Sequence, residues 1–359
     1  MDGAEALDAT QEECMSSSLD AHLGSECGSD PIGRQVADTI RQLCAASIKL
    51  RNTIISGGVE ARSGGGDTNA GGDVQKPLDI VADQMFLDAA KASAIAVYGS
   101  EEQDAAVMID PAAPLALAID PLDGSSNIDT NVSIGTIFSL LPVGEEHRSD
   151  PTSALLQPGN RQLAAGFFIY GPQLLLVLSV GKGTRVFLFS PSFGGFVEHI
   201  GSVAIPEETS EFATNAANYR HWDPQIRSYI DDCLAGEEGP RERNFNMRWI
   251  ASMVADCYRI FVRGGIFLYL GDGRKGYTEG RLRLVYEANP VAFCVEQAGG
   301  AATDGSSRIL DIVPRDLHAR TPLVFGSKHE VDRVARYVAD PSALTDRSPL
   351  FGKRSLFRT

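Results

Sequence analysis

The strongest constraint on the fold of this 359-residue chain is the stretch LALAIDPLDGSSN at residues 115–127. Its apolar part has the length of a strand, and Pro121 lacks a backbone donor, which predicts that the strand ends at Asp120. Asp120 and Asp123 then emerge at the carboxyl end of the strand, where ligands collect in open α/β sheets. The turn 124–127 offers amides and hydroxyls to an anion. The stretch therefore predicts a cation that bridges two carboxylates and a phosphate.

A second pair of acids lies upstream. Glu101 and Glu102 follow a short apolar run that ends at Tyr98. Four carboxylates in a small space would repel one another and raise their pKa values unless a divalent metal neutralised them. Oxygen ligands favour Mg²⁺ or Mn²⁺ over Zn²⁺. An isolated Asp-Pro-x-Asp-Gly is usually only a surface turn, so the metal-site interpretation depends on the Glu pair and on the later motifs.

With the Glu pair upstream, the string DPLDGSSNID at 120–129 and the segment VSIGTIF at 132–138 resemble class I fructose-1,6-bisphosphatases. These belong to the metal-dependent, lithium-sensitive sugar and inositol phosphatases. The resemblance runs from about Pro31 to Ala339 and implies a layered α-β-α-β-α sandwich of two α/β domains. It also implies hydrolysis of fructose 1,6-bisphosphate to fructose 6-phosphate and phosphate by metal-activated water, in gluconeogenesis or carbon fixation. The implied cofactor is Mg²⁺, with Mn²⁺ as an alternative.

The resemblance also assigns roles to individual residues. Metal ligands are implied at five carboxylates and one carbonyl, namely Glu101, Glu102, Asp120, Leu122, Asp123 and Glu287. Asp79 is implied as a catalytic carboxylate near the metals, and Asp73 and Glu102 as the pair that positions and deprotonates the attacking water. Substrate contacts are implied at Asp123, Gly124, Ser125, Ser126, Asn215, Arg248, Met253, Tyr269, Arg281 and Tyr286. The family's Arg at position 248 crosses into the neighbouring subunit's site, which implies a homotetramer.

Three positions depart from the family pattern. Arg281 stands where many members have Lys, Asn218 stands where the family has Tyr, and Pro77 replaces a second Lys. Arg binds phosphate bidentately, so the geometry of the substrate pocket is expected to shift. Whether Tyr219, one residue later, takes the place of the missing Tyr is left open by the sequence.

The stretch from Gly57 to Gly72 holds seven glycines in sixteen residues. Glycine content alone favours a flexible linker. The segment that follows, with Asp73, Lys76 and Asp79, matches the family's catalytic loop, which favours a mobile lid. Asp79 is expected at the start of a helix, and Asp73 on the loop.

Charge and composition limit the partners. The formal net charge is −15, and residues 1–33 contain eight acids and no Lys or Arg, which predicts a disordered acidic arm. No apolar run is long enough for a membrane span, and no basic stripe for nucleic acid precedes the final twenty residues. The basic, aromatic tail favours a docking tail over a nucleic-acid arm. Six cysteines without metal spacing, and no signal peptide, favour the cytoplasm.

The predicted organisation is an arm at 1–29, a metal-binding phosphatase domain at 30–203, a substrate-binding domain at 204–339 and a tail at 340–359. Helix patterns begin at Asp30-Pro31 and Asp79 and recur at 224–233, 249–258, 289–297 and 330–338. Strand patterns lie at 133–141, 166–170, 174–180, 185–189, 265–270 and 322–325. Their alternation in the second half predicts an α/β architecture.

Two rival functions are considered. One is a dual enzyme that also accepts sedoheptulose 1,7-bisphosphate. The other is a non-catalytic phosphosugar-binding regulator on the same scaffold. A pseudoenzyme commonly loses an acid of its ligand set, whereas every carboxylate of the pattern is present here. The sequence therefore favours an enzyme.

Overall fold

The computed structural model describes residues 17–57, 76–148 and 150–339. The predicted loop residue Asp73, most of the acidic arm and the tail lie outside these ranges. Seven α-helices occur in the described chain, at α1 Leu19–Glu26, α2 Pro31–Ile55, α3 Pro77–Lys91, α4 Pro224–Leu234, α5 Met253–Arg263, α6 Asn289–Gln297 and α7 Lys328–Ala339. None of the helices in these ranges is long and apolar enough to cross a membrane.

The first sheet has eight strands in the order β2-β1-β3-β4-β5-β6-β7-β8. Their bounds are β1 Ile95–Ser100, β2 Val107–Met108, β3 Leu115–Asp123, β4 Ile134–Pro142, β5 Ala164–Tyr170, β6 Leu174–Ser179, β7 Thr184–Ser190 and β8 Gly195–Ile200. β1 and β3 are parallel, and the other neighbours are antiparallel. The central strands are buried along their whole length because helices cover both faces.

The second sheet has five strands in the order β10-β9-β11-β15-β13, and two further strands, β12 and β14, pair with each other. Their bounds are β9 Glu211–Thr214, β10 Asn246–Met247, β11 Ile266–Tyr269, β12 Leu282–Arg283, β13 Ala301–Thr303, β14 Arg320–Thr321 and β15 Leu323–Gly326. β10, β9 and β11 are parallel, so their carboxyl ends meet at one edge.

The two sheets and the helices form five layers. α2 and α3 pack on one face of the first sheet around Leu43 and Phe86. α5 and α6 fill the space between the two sheets, where Phe167 of the first sheet meets Phe261 of α5 edge-on. α4 and α7 cover the outer face of the second sheet. The predicted α-β-α-β-α sandwich is therefore confirmed.

The start of α2 shows how the sequence sets a helix boundary. Asp30 caps the helix by accepting a hydrogen bond from the Gly33 amide at 3.0 Å, and Pro31 occupies the first helical position. A proline is tolerated there because its missing N–H would have no partner inside the helix. The predicted start at Asp30-Pro31 is confirmed.

The prediction of a disordered arm through residue 29 is wrong for residues 17–29. Ser18 caps α1, and Leu19 and Leu23 are buried against the first sheet. The backbone carbonyl of Ser17 accepts a hydrogen bond from Glu198 of β8 at 2.8 Å. Two leucines on one helical face outweigh the acidic composition of the arm, because burial of apolar side chains stabilises even a short helix.

The prediction that the strand stops at Asp120 is also wrong. β3 continues through Pro121 to Asp123, with one extra residue on β3 between Asp120 and Asp123 relative to β4. This β-bulge accommodates a proline that cannot donate to the ladder, and it redirects the side chains that follow. The bulge thus turns the two carboxylates of this stretch toward one site.

The predicted helix at 249–258 begins later than expected, at Met253. Ala251 has φ +64°, a left-handed conformation that is incompatible with a continuing α-helix. The carboxylate of Asp256 accepts hydrogen bonds from the Ile250 amide at 3.1 and 3.3 Å, which holds the residues ahead of α5 in a turn. Arg248 therefore lies five residues before the start of the helix.

Candidate active site

The predicted acids from the first half of the chain meet at one edge of the first sheet. β1 and β3 run parallel side by side, with Ser100 opposite Ile119, so Glu101 and Asp120 follow at the same edge. The Glu101 amide donates to the Ile119 carbonyl at 3.1 Å. The carboxyl ends of parallel strands thus bring both acidic motifs together, as the sequence predicts.

Glu287 joins this edge from the second half of the chain. It lies in a π-helical turn, Leu284–Ala288, that leads directly into α6. Carboxylate oxygens of Asp120, Asp123 and Glu287 all lie within 4.8 Å of one another, and the three residues are buried. We call Glu101, Glu102, Asp120, Asp123 and Glu287 the acid cluster.

Burial and mutual repulsion dominate the electrostatics of the acid cluster. Burial raises the pKa of Asp120 well above its usual range, and the charges of Glu101, Asp123, Glu287 and Glu102 raise it further. Burial followed by repulsion from Glu101 and Asp123 raises the pKa of Glu287 in the same way. A cluster with these properties binds protons or cations strongly.

Backbone amides hold the three central carboxylates in place. The Leu122 amide donates to Asp120 at 3.0 Å, and the Arg283 amide donates to Glu287. The Val254 amide, in the first turn of α5, donates to Asp123 at 3.2 Å. Burial raises the pKa of Asp123 to about 6, and the Val254 hydrogen bond opposes this rise. The second half of the chain therefore positions a carboxylate of the first half.

Arg283 is a site residue that the sequence analysis missed. Its side chain is 2% exposed, and its Nε lies 3.5 Å from Oε1 of Glu101. Its charge opposes the rise in the pKa of Glu287. The sequence did contain a signal, because Arg283 stands in an otherwise apolar run four residues before Glu287. A charge in such a run is rarely buried without a partner.

Asp79 lies at the N-terminus of α3, close to the turn after β3. It accepts a hydrogen bond from the Lys76 amide at 2.6 Å and is buried. Burial raises the pKa of Asp79 to about 6, opposed by Lys76 and by the nearby Ser125 hydroxyl. Asp79 therefore sits on a rigid helix, as predicted, beside the predicted phosphate-binding turn.

The turn after β3 begins at Gly124 and leads into a short helix. Gly124 has φ +76°, and Ser125 begins a short 3₁₀-helix, Ser125–Thr130. Ser126 is exposed.

Leu122 is buried within β3, and Met253 is buried at the start of α5, directly before the amide that contacts Asp123.

Three predicted substrate residues gather at the carboxyl edge of the second sheet. Arg248 follows β10, Asn215 follows β9, and Tyr269 ends β11, and these strands are parallel neighbours. The Arg248 amide donates to the Phe212 carbonyl at 2.8 Å, and its side chain is half exposed, 4.0 Å from Glu211. The topology of the second sheet thus forms a second polar edge.

The remaining predicted substrate residues have different environments. Arg281 is exposed, with its guanidinium 4.8 Å from the centre of the Tyr277 ring. Tyr286 is fully buried against β1 and β3, and burial, then the charge of Glu101, raises its pKa. The structure places Tyr286 behind the acid cluster and not on the exposed surface that carries Arg281.

The structure also shows the surroundings of Asn218, one of the three positions that differ from the family pattern. Tyr219 does not take over, because its hydroxyl donates to Asp231 at 2.7 Å and its ring packs on Trp222. The Asn218 side chain instead accepts a hydrogen bond from Arg274 at 3.0 Å. Arg274 is a second residue that the sequence analysis did not single out.

The acid cluster fits a divalent cation. All of its donors are carboxylate oxygens, and oxygens from three of the residues lie within 4.8 Å of one another. Without a cation, the charges of these carboxylates would repel one another. A buried cluster of carboxylate oxygens beside a Gly-Ser turn and two helix N-termini is typical of the class of metal-dependent phosphoester hydrolases.

Comparison with known proteins identifies the family within that class. Residues 35–200 match the family model "Fructose-1-6-bisphosphatase, N-terminal domain", and residues 205–339 match "Fructose-1-6-bisphosphatase, C-terminal domain". The chain therefore belongs to the class 1 fructose-1,6-bisphosphatase family, and it is a phosphatase.

Individual relatives agree with this assignment. The chain is 59% identical over 343 residues to "Fructose-1,6-bisphosphatase class 1" of Rhizobium meliloti (strain 1021), covering 95% of this chain and 98% of that protein. It is 52% identical to the protein of the same name from Azorhizobium caulinodans, covering 89% of this chain and 98% of that protein. The crystal structure of Leishmania major fructose-1,6-bisphosphatase in holo form has a TM-score of 0.83 at 32% identity and covers 91% of this chain and 100% of that one.

Proposed function

We propose that this phosphatase removes the 1-phosphate of fructose 1,6-bisphosphate and releases fructose 6-phosphate, in gluconeogenesis or carbon fixation. The observation that carries the proposal is the meeting of Asp120, Asp123 and Glu287 within 4.8 Å at a buried edge. The family assignment supports the sugar bisphosphate as substrate.

The acid cluster would hold Mg²⁺, or Mn²⁺ in its place, together with the Leu122 carbonyl. A divalent cation bound there supplies acidity to the attacking water and neutralises charge on the phosphoryl oxygens. Zn²⁺ is disfavoured because the cluster offers neither thiolate nor imidazole.

The chain's own groups position the reacting phosphate. Gly124, Ser125 and Ser126 would bind the phosphoryl oxygens through amides and hydroxyls at the start of the 3₁₀-helix. Asp73 and Glu102 would orient the attacking water and accept its proton, and Asp79 would assist beside Ser125. Asp73 lies outside the described residues, so its part rests on the resemblance alone.

The second polar edge would bind the far end of the sugar. Asn215, Tyr269 and Arg281 would contact the 6-phosphate, Met253 would contact the sugar through the α5 turn, and Tyr286 would support the site from behind. Arg248 would serve the neighbouring subunit in a homotetramer. Its half-exposed side chain and the exposed Met247 and Ile250 beside it, 45% and 39% exposed, support an intersubunit role.

Two broader proposals accompany this function. We place the boundary between the metal-binding and substrate-binding domains near residue 203, between the two matched family segments. We place the protein in the cytoplasm, because the five cysteines in the described chain are free thiols and four of them are buried.

The test is the identity of the product. Metal-loaded enzyme is incubated with fructose 1,6-bisphosphate and, separately, with sedoheptulose 1,7-bisphosphate, and phosphorus NMR reports which ester is lost. We expect loss of the 1-phosphate and accumulation of fructose 6-phosphate. Comparable turnover of both sugars would establish the dual enzyme, and tight binding without phosphate release would establish the regulator.

A further inference from the structure

The loop between β11 and β12, residues 270–281, is the basic surface next to the second polar edge. We call it the distal loop. It carries Arg274, Lys275 and Arg281, in a chain whose net charge is −15. One of its acids, Glu279, is engaged by Arg315 at 2.9 Å. Within the part of the chain that the structure describes, Arg281 has no carboxylate within ion-pair distance. The loop therefore presents positive charge to an anion.

Arg274 is anchored through one side of its guanidinium. Its Nε donates to Asp272 at 2.9 Å, and its Nη2 donates both to Asp272 and to Asn218 at 3.0 Å. Asp272 is 6% exposed, so this pair is fixed at the base of the loop. The Arg274 Nη1 has no hydrogen-bond partner among the described residues. An arginine held in this way presents its free nitrogen at low entropic cost.

The Tyr277 ring contacts both Arg274 and Arg281. The Arg274 guanidinium lies 4.4 Å from the Tyr277 ring centre and the Arg281 guanidinium 4.8 Å from it. One aromatic side chain thus contacts both cations and keeps them in the same loop. The backbone of the loop supports this arrangement, because the Tyr277 amide donates to the Arg274 carbonyl at 3.0 Å.

The position of the pair ties it to the substrate edge. The distal loop begins directly after Tyr269, and Asn218 lies three residues after Asn215. The Arg274–Asn218 hydrogen bond therefore joins the segments that follow the parallel strands β9 and β11.

From this geometry we infer that Arg274 is a specificity-determining residue, the second guanidinium that binds the phosphate the enzyme does not hydrolyse, and that Asn218 positions it. The inference rests on the proposed function. It explains Asn218 in physical terms, because a tyrosine side chain at position 218 could not provide the amide oxygen that fixes Arg274. The pair selects sugar bisphosphates over monophosphates that lack the distal group.

The test is the affinity of the full-length enzyme for fructose 6-phosphate, measured by calorimetry without metal so that catalysis is not required. Arg274→Ala is expected to weaken binding about tenfold to a hundredfold, the range for hydrogen bonds to a charged group. Asn218→Ala is expected to weaken it by a smaller factor, because Arg274 loses one anchor and keeps its charge. Arg308→Ala is the matched control, since Arg308 forms a partly exposed ion pair with Glu296 elsewhere on the surface, and it should bind as wild type.

Arg274→Ala leaves Asp272 buried without its partner, so the double variant Asp272→Asn/Arg274→Ala is measured beside it. The inference predicts the same loss of affinity in both. Affinity within twofold of wild type in the folded double variant would overturn it. So would equal loss of kcat/KM toward fructose 1,6-bisphosphate and fructose 1-phosphate, because only the first carries the distal phosphate. If wild type binds fructose 6-phosphate in the predicted manner but releases no phosphate from the bisphosphate, the proposed function fails and this inference stands.

Discussion

The guanidinium Nε of Arg283 lies 3.5 Å from the carboxylate Oε1 of Glu101, and the two side chains are 2% and 16% exposed. This contact joins the segment that carries Glu287 to the segment that carries Glu101 and Glu102. It places a permanent positive charge inside a cluster of five carboxylates. Arg283 therefore compensates part of the repulsion that burial strengthens.

Arg283→Met should lower the stability of the metal-free protein strongly. Removing one partner of a buried ion pair typically costs about 3–5 kcal/mol, because the remaining charge stays buried. Thermal melting in the presence of a chelator measures the effect, and saturating Mg²⁺ should restore part of the loss. Arg315→Met is the control, because the exposed Arg315–Glu279 pair should contribute at most about 1 kcal/mol. An unchanged melting temperature in chelator for Arg283→Met would refute the compensating role.

Asp256 should give the metal-free protein an unusual dependence on pH. Burial raises the pKa of Asp256 to about 7 from an ordinary value of 3.8, so the folded state binds its proton more tightly than the unfolded state. Stability contributed by this group is therefore lost as the pH rises from about 4 through 7. Asp256→Asn, which cannot ionise, should melt higher than wild type at pH 8, and this advantage should shrink toward pH 5.

The melting temperature of wild type must be compared with that of Asp256→Asn at each pH, because two histidines change the stability with pH in the opposite direction. Burial lowers the pKa of His22 and of His318 below the ordinary value of 6.5, so the stability they contribute is lost as the pH falls below 6.5 toward the lowered pKa. The difference between wild type and Asp256→Asn cancels their effect. A difference in melting temperature that is constant from pH 5 to pH 8 would show that Asp256 does not titrate in this range.

Arg248 should act on the neighbouring subunit. In the proposed homotetramer, Asp120→Asn and Arg248→Ala should each abolish activity, but a mixed oligomer pairs an intact acid cluster with an intact Arg248. Co-refolded mixtures should recover roughly a quarter of the wild-type rate if subunits pair at random about a two-fold axis. Asp120→Asn mixed with Glu287→Gln is the control, because both lesions lie in one acid cluster. If the first mixture is no more active than its parts, Arg248 serves its own subunit.

The acid cluster could be predicted from sequence because it is built from short local motifs. Glu101 and Asp120 each follow an apolar run in the sequence, and parallel pairing of β1 and β3 brings them to one edge. Glu287 required the resemblance, because a lone Glu before Asn-Pro carries no local signal of a metal site. The start of α2 could be predicted for the same reason, because the adjacent residues Asp30 and Pro31 determine it.

The features that the sequence did not yield depend on contacts between distant residues. The ion pair of Arg283 with Glu101 and the Arg274–Asn218 hydrogen bond both join distant residues, and the second pair is 56 positions apart. α1 was missed because its acidic composition obscured Leu19 and Leu23, which are buried by other elements. The late start of α5 reflects the capping of Ile250 by Asp256, which a hydrophobic pattern does not reveal.

The most direct test of the central claim is the metal dependence of phosphate release from fructose 1,6-bisphosphate. Metal-stripped wild type should release no phosphate, and titration with Mg²⁺ should restore activity with a saturable dependence. Asp120→Asn should require more Mg²⁺ and turn over at least about 10²-fold more slowly, because it removes a charge from the acid cluster. Phosphate release that persists in chelator, or an Asp120→Asn enzyme within a few fold of wild type at all Mg²⁺ concentrations, would contradict the assignment of the acid cluster as the catalytic metal site.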